Sequence, residues 1–206
     1  MRLTKYEQSG FVLETESGFR LAFDIGAYTP VEKLKGVTAD AMLVSHLHGD
    51  HFSPDHIRAI NPKALYLNQE CLDLWQGDKG SFEVKTIKSG EKVKVGEMEV
   101  EFFNVDHGPN VSTRPKENFG FLIKVDGQTV YFAGDMFYQS GIDVTNLEAD
   151  YALLPVGTFY TFGPEEAFGF VKKFKRIGKI ITMHYEKTPE TKDQFKKLAL
   201  GVFDVE

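Results

Sequence analysis

Four apolar runs in this chain end in a histidine or an aspartate, and that recurrence constrains the fold more than any other feature. "AMLVS" (41–45) leads into "HLHGDH" (46–51), and "EFFNV" (101–105) stops just before His107. "VYFAG" (130–134) leads into Asp135, and "IITM" (180–183) into His184. Five of the six histidines are used in this way. Short apolar runs of this length read as buried strands, and strand ends are where sites gather in α/β proteins. The chain must therefore bring several strand ends, each carrying a polar ligand-type residue, to the rim of one or more sheets.

The flanking sequence supplies the rest of the framework. "FVLETESGFRLAFDIG" alternates around Glu16-Ser17-Gly18, the pattern of a hairpin. "SPDHIRAI" (53–60) has Ser53 as N-cap and Pro54 at the first helical position. "ALYL" (64–67) reads as another strand, followed by a helix around Cys71. From 82 to 133 the period is mostly two, with turns at Ser89-Gly90, Gly96-Glu97 and Asp126-Gly127. "ADYALLPV" is a strand, "GPEEAFGFVKKF" a helix with early glutamates and late lysines, "GKIITM" a strand and "TPETKDQFKKLAL" a final helix. This order predicts two sheet halves with helices outside, a four-layer αββα sandwich rather than a purely parallel sheet. With 206 residues and no linker or repeat, the expected organisation is one domain over 1–206.

Composition excludes several classes. The net charge of -6 argues against a general nucleic-acid binder. A single cysteine, Cys71, cannot form an internal disulfide and reads as a small buried apolar residue. No apolar core of about 7–15 residues marks a signal peptide, and no stretch approaches the roughly 18 apolar residues of a membrane span. The expected location is cytoplasmic. Eighteen phenylalanines and eight tyrosines predict an aromatic-rich core or pocket wall.

The density of "SHLHGDH" points to metal. Neutral imidazole and carboxylate oxygen both suit zinc. His46 and His48, two apart, can turn toward one ion, while Asp50 and His51 can serve a second. His107, Asp135 and His184 are the candidates for the remaining ligands. His56, inside the following helix, reads as a surface residue or one that supports a ligand, not as a ligand itself. The glycines beside these positions, Gly49, Gly108, Gly134 and Gly157, are read as sites of close backbone approach to the metals.

"SHLHGDH" matches the HxHxDH motif of the metallo-β-lactamase superfamily, and His107, Asp135 and His184 fall in the order of its later motifs. "FDIG" around Asp24 resembles its first motif, and the resemblance runs from about residue 10 to 188. The segment "LLPVGTFYTFGPEEAFGFVKKFKRIGKIITMHYEKTP" resembles the branch of metal-dependent hydrolases related to ascorbate-6-phosphate lactonase and to phospholipase D-type N-acylethanolamine enzymes. Thr158 departs from that pattern, standing where the branch has the second glycine of a pair, and Met136 follows Asp135 where many members have threonine. The resemblance implies that His46, His48 and His107 hold one metal and that Asp50, His51 and His184 hold the other. Asp135 would bridge the two, and Asp24 would orient a ligand loop without touching metal. It implies two divalent ions, zinc first, with manganese, iron or nickel as other candidates.

The expected reaction is hydrolysis of a small ester, lactone or phosphodiester by a metal-bound hydroxide, with Asp50 and Asp135 as the catalytic carboxylates. Arg114 and Lys116, on the loop 108–118, are either solvated charges or a clamp for an anionic substrate group. Tyr185 either lines the pocket or packs in the core. The expected partner is a small molecule, with no nucleic acid; the oligomeric state is left open. The alternatives are a nuclease or a redox di-iron protein on the same fold, or a metal-binding scaffold without catalysis. His48 stands where the di-iron branch has glutamate.

Overall fold

The computed structural model describes residues 1–206, which form two compact units, each built around one sheet. The first unit comprises Met1–Lys88 with two short segments, Val95–Glu97 and Pro115–Glu117. Its sheet runs in sequence order: β1 (Arg2–Lys5), β2 (Phe11–Glu14), β3 (Arg20–Phe23), β4 (Ala41–Leu43), β5 (Ala64–Leu67) and β6 (Glu83–Thr86). The first three strands are antiparallel, and from β3 onward all neighbours are parallel. The expected hairpin is β2–β3. Its turn closes through Gly18, at φ +90°, where a residue without Cβ is unstrained.

Val12, Ala22, Met42 and Leu65 lie in one row across this sheet. They bury against Ile57 and Ile60 of α1 (Pro54–Ile60) and Cys71 of α2 (Gln69–Leu74). Both helices begin at side-chain caps, Ser53 accepting from His56 N and Asn68 from Cys71 N. Burial pushes the Cys71 thiol far above its ordinary value, so it is a packing residue, not a nucleophile.

The second unit comprises Ser89–Lys94, Met98–Arg114 and Asn118–Glu206. Its sheet is ordered β13-β12-β11-β10-β9-β8-β7. The strands are β7 (Lys92–Val95), β8 (Met98–Asn104), β9 (Phe119–Val125), β10 (Gln128–Phe132), β11 (Glu148–Pro155), β12 (Arg176–Met183) and β13 (Asp204–Val205). β8, β9 and β10 are antiparallel, and β10 to β13 are parallel, joined through α3 (Pro164–Val171) and α4 (Glu190–Ala199). The aromatic-rich core is here. Phe102 contacts Phe119 and Phe121, Phe121 stacks on Phe132, and fully buried Tyr131 meets Phe170 of α3.

Some boundaries differ from the sequence reading. The helix expected over 163–174 stops at Val171, because Lys173 N and Phe174 N bond three residues back and turn Phe174 onto Tyr131 at 5.1 Å. The last helix spans Glu190–Ala199 within the expected 188–200. The two-residue β13 and a 3₁₀ turn over Val31–Leu34 were too short to register in any periodicity. No helix is long and apolar enough to cross a membrane.

Asp40 ties the ends of β3, β4 and β5 that lie opposite the candidate ligands. Its carboxylate accepts from Arg20 N at 2.9 Å and Lys63 Nζ at 2.7 Å, while its carbonyl accepts from Lys63 N and Ala64 N. The Lys63 ammonium, then the Arg20 amide, hold the Asp40 carboxyl below its ordinary value of 3.8. A carboxyl with a lowered folded-state pKa stabilises above its unfolded value and loses that contribution as pH falls through the folded one. Asp40→Asn should therefore lower Tm by about 2–5 °C at pH 7, and the deficit should shrink below pH 3.8. Melting curves of both proteins from pH 7 to pH 3 check this; a constant deficit would show that the carboxylate charge is irrelevant.

Candidate metal centre

In the first unit, β3 and β4 deliver their ends side by side. β3 runs straight into Asp24, which is fully buried and adopts φ +50°. A non-glycine residue there costs about 1–2 kcal/mol, a strain that persists where the surroundings need the conformation. Asp24 accepts from Ser45 N at 2.8 Å, from Ser45 Oγ at 2.5 Å and from His51 Nδ1 at 2.8 Å. Gly26 then packs on the next turn, where an added Cβ would meet the Asp50 carbonyl carbon at 2.1 Å.

Proton accounting fixes two tautomers. Ser45 has one hydroxyl hydrogen and gives it to Asp24, which can only accept. The same oxygen, 2.9 Å from His46 Nδ1, must then accept from it. His46 Nε2 is left with its lone pair, 2.9 Å from His48 Nδ1. His51 Nδ1–H donates to Asp24, so His51 Nε2 also carries a lone pair, 3.7 Å from Asp50 Oδ2. One buried carboxylate thus sets both rings, directly and through a serine.

In the second unit, three strand ends do the same. His107 lies three residues beyond β8, Asp135 three beyond β10, and His184 directly after β12. His107 Nδ1 donates to the Gly108 carbonyl at 3.1 Å, which turns its Nε2 lone pair toward Asp135 Oδ2 at 3.7 Å. His184 Nε2 lies 3.1 Å from that same oxygen. His184 adopts φ +59°, and its carbonyl faces Gly157, where an added Cβ would come within 1.7 Å. Only glycine can stand there. Asn118 steadies the Asp135 backbone by donating to its carbonyl at 3.1 Å.

Within each unit the candidate residues are histidines and aspartates of the kind that hold divalent ions. Acceptor atoms facing acceptor atoms repel one another unless a cation or proton lies between them. The donor chemistry therefore fits a metal.

Other residues fall elsewhere. His56 is buried, not on the surface: its Nε2 donates to the Thr29 carbonyl at 2.8 Å and its Nδ1 lies 2.9 Å from Ser53 Oγ. Arg114 and Lys116 are exposed, with Lys116 N donating to Glu70. Tyr185 is half-buried, and its hydroxyl accepts from Lys192 Nζ at 3.2 Å. Gly49, read as a close approach, faces open space; Gly108, Gly134 and Gly157 make theirs against protein backbone. Sequence reasoning missed Gln8. It is buried at φ +53° and donates from Nε2 to Asp50 Oδ2 at 3.3 Å. The one signal for it was a polar "EQSG" turn between two strands.

Comparison with known proteins closes the matter of family. A family model described as a β-lactamase superfamily domain matches residues 2–184. A UPF0173 metal-dependent hydrolase from Pelotomaculum thermopropionicum is 30% identical over 198 residues, covering 92% of this chain and 86% of that one. The crystal structure of a metal-dependent hydrolase from Parabacteroides distasonis superposes with a TM-score of 0.78 at 22% identity, over 99% of this chain and 90% of that one. Igni18, a metallo hydrolase from the archaeon Ignicoccus hospitalis, gives 0.75 at 25% identity, over 99% and 93%. The mixed α/β fold with two sheets, expected from the sequence, is the fold of these structures. The chain belongs to the β-lactamase superfamily, in its metallo-β-lactamase fold, and within it to the UPF0173 metal-dependent hydrolases.

Proposed function

We propose that the two units act as one catalytic domain that holds two divalent ions, zinc first among them, and hydrolyses a small ester, lactone or phosphodiester. His46, His48 and His107 serve one ion and Asp50, His51 and His184 the other. Asp135 bridges them. The observation that carries this reading is the position of Asp135 Oδ2, 3.7 Å from His107 Nε2 and 3.1 Å from His184 Nε2. A single carboxylate oxygen stands between two histidines assigned to different ions.

Two ions held there would supply Lewis acidity, bringing a water nucleophile's pKa near 7 and stabilising negative charge on the substrate oxygen. The chain's own residues do the rest. Asp24 keeps the Nε2 lone pairs of His46 and His51 turned inward, as a carboxylate behind a ligating histidine does. The Asp50 carboxylate, steadied by Gln8 Nε2, receives the proton released as water attacks. Asn118 and the Gly157–His184 contact keep Asp135 and His184 from drifting.

The test is a panel of phosphodiesters, lactones and thioesters. At least one member should be hydrolysed in a way that a chelator abolishes and zinc or manganese restores. A protein whose only hydrolysis survives chelation contradicts the reading. Asp135→Asn should cut turnover by roughly 100-fold or more, beyond the loss of an outer hydrogen-bond partner, with circular dichroism unchanged. Near-normal turnover would remove Asp135 from the centre. Asp24→Asn should weaken metal affinity about 10–100-fold, measured by competition with a chelator of known affinity. Unchanged affinity would show that the ring orientations do not depend on this carboxylate.

A further inference from the structure

A small pocket lies in the second unit, on the two loops that leave Asp135 and Gly157. Phe137 and Tyr138 come from the first loop, Thr158, Phe159 and Phe162 from the second. Phe162 N donates to the Met136 carbonyl at 2.9 Å and joins them. Glu166, from the first turn of α3, completes the wall. Its Oε2 is turned back toward Gly163, where an added Cβ would meet it at 2.7 Å. The pocket holds about 80 Å³, enough for one small group of a larger molecule.

The second loop is strained. Thr158 and Phe159 adopt φ +58° and +59° in succession, a region that a β-branched residue scarcely visits. Thr158 N donates to the Phe162 carbonyl at 2.9 Å, and Asn110 Nδ2 to the Phe159 carbonyl at 2.7 Å. These bonds hold Phe159 59% exposed, near Tyr138 at 62%. One large ring kept in water by a strained turn, with a second exposed ring and a carboxylate lining the same pocket next to candidate ligands, is the arrangement of a binding surface.

We propose that this pocket is a subsite for a small organic ammonium group on the substrate, held by the faces of Tyr138 and Phe159 and by the Glu166 carboxylate. The proposal rests on the reading that Asp135 and His184 belong to the hydrolytic centre. Ring faces carry negative potential and attract cations, methylated ammonium above all. Glu166 is exposed and in no ion pair with the chain, so its charge is available to a ligand. An anionic group would meet repulsion from Glu166 and from the rings. A neutral apolar group would strip water from the carboxylate and return nothing.

The test compares choline with 3,3-dimethylbutan-1-ol, its uncharged isostere, binding to the protein as purified, by saturation-transfer NMR titration. Choline should bind about tenfold more tightly than the isostere. Glu166→Gln should bring the two affinities together, and Phe159→Ala should weaken both. Metal content of both variants should match the parent. The proposal is overturned if the two probes bind equally, if neither binds saturably, if the preference survives Glu166→Gln, or if Phe159→Ala changes nothing. Binding is read without turnover. Failure of the subsite therefore leaves the hydrolytic reading standing, and failure of that reading shows in the chelation experiment alone.

Discussion

The hydrogen bonds converging on Asp24 are what the candidate centre depends on. A buried carboxylate with no hydrogen of its own must be surrounded by donors, and here it has three: Ser45 N, Ser45 Oγ and His51 Nδ1. Meeting that demand fixes the hydroxyl hydrogen of Ser45, and through it the tautomer of His46. The backbone pays for the arrangement with a left-handed Asp24. The sheet supplies the rest, because β3 and β4 are parallel neighbours and must release their chains on the same edge.

Strain and close contact recur around the candidate ligands, at His184 itself and at residues that orient the others. Asp24, His184 and Gln8 all have positive φ without being glycine. Gly26 and Gly157 admit neighbouring backbone that any side chain would exclude. Thr158 and Phe159 extend the pattern past the ligands to the pocket beside them.

Much of this was legible in the sequence, for a physical reason. A buried parallel strand must be a short apolar run, so the runs ending at His46, Asp135 and His184 could be read as β4, β10 and β12. Ser53 and Pro54 marked the start of α1 because capping chemistry is local. What stayed hidden depends on contacts between distant segments. Gln8 meets Asp50 across 42 positions, and nothing local distinguishes its amide from that of a turn. His56 could be read as a surface residue or as one that supports a ligand, and its burial stayed hidden because the Thr29 carbonyl it meets lies 27 positions away. Gly49 looked tight because its neighbours are ligand candidates, yet only three-dimensional packing says which glycine meets that turn, and it is Gly26, against the Asp50 backbone. β13 has two residues, too few for any period to show.

The central claim is that these strand ends hold two ions. Protein saturated with zinc and freed of excess metal should carry about two ions per chain by elemental analysis. His107→Ala and His184→Ala should each reduce that count toward one, since the reading assigns them to different ions. A saturated parent that never exceeds one ion per chain would contradict the dinuclear centre and the bridging role of Asp135 together.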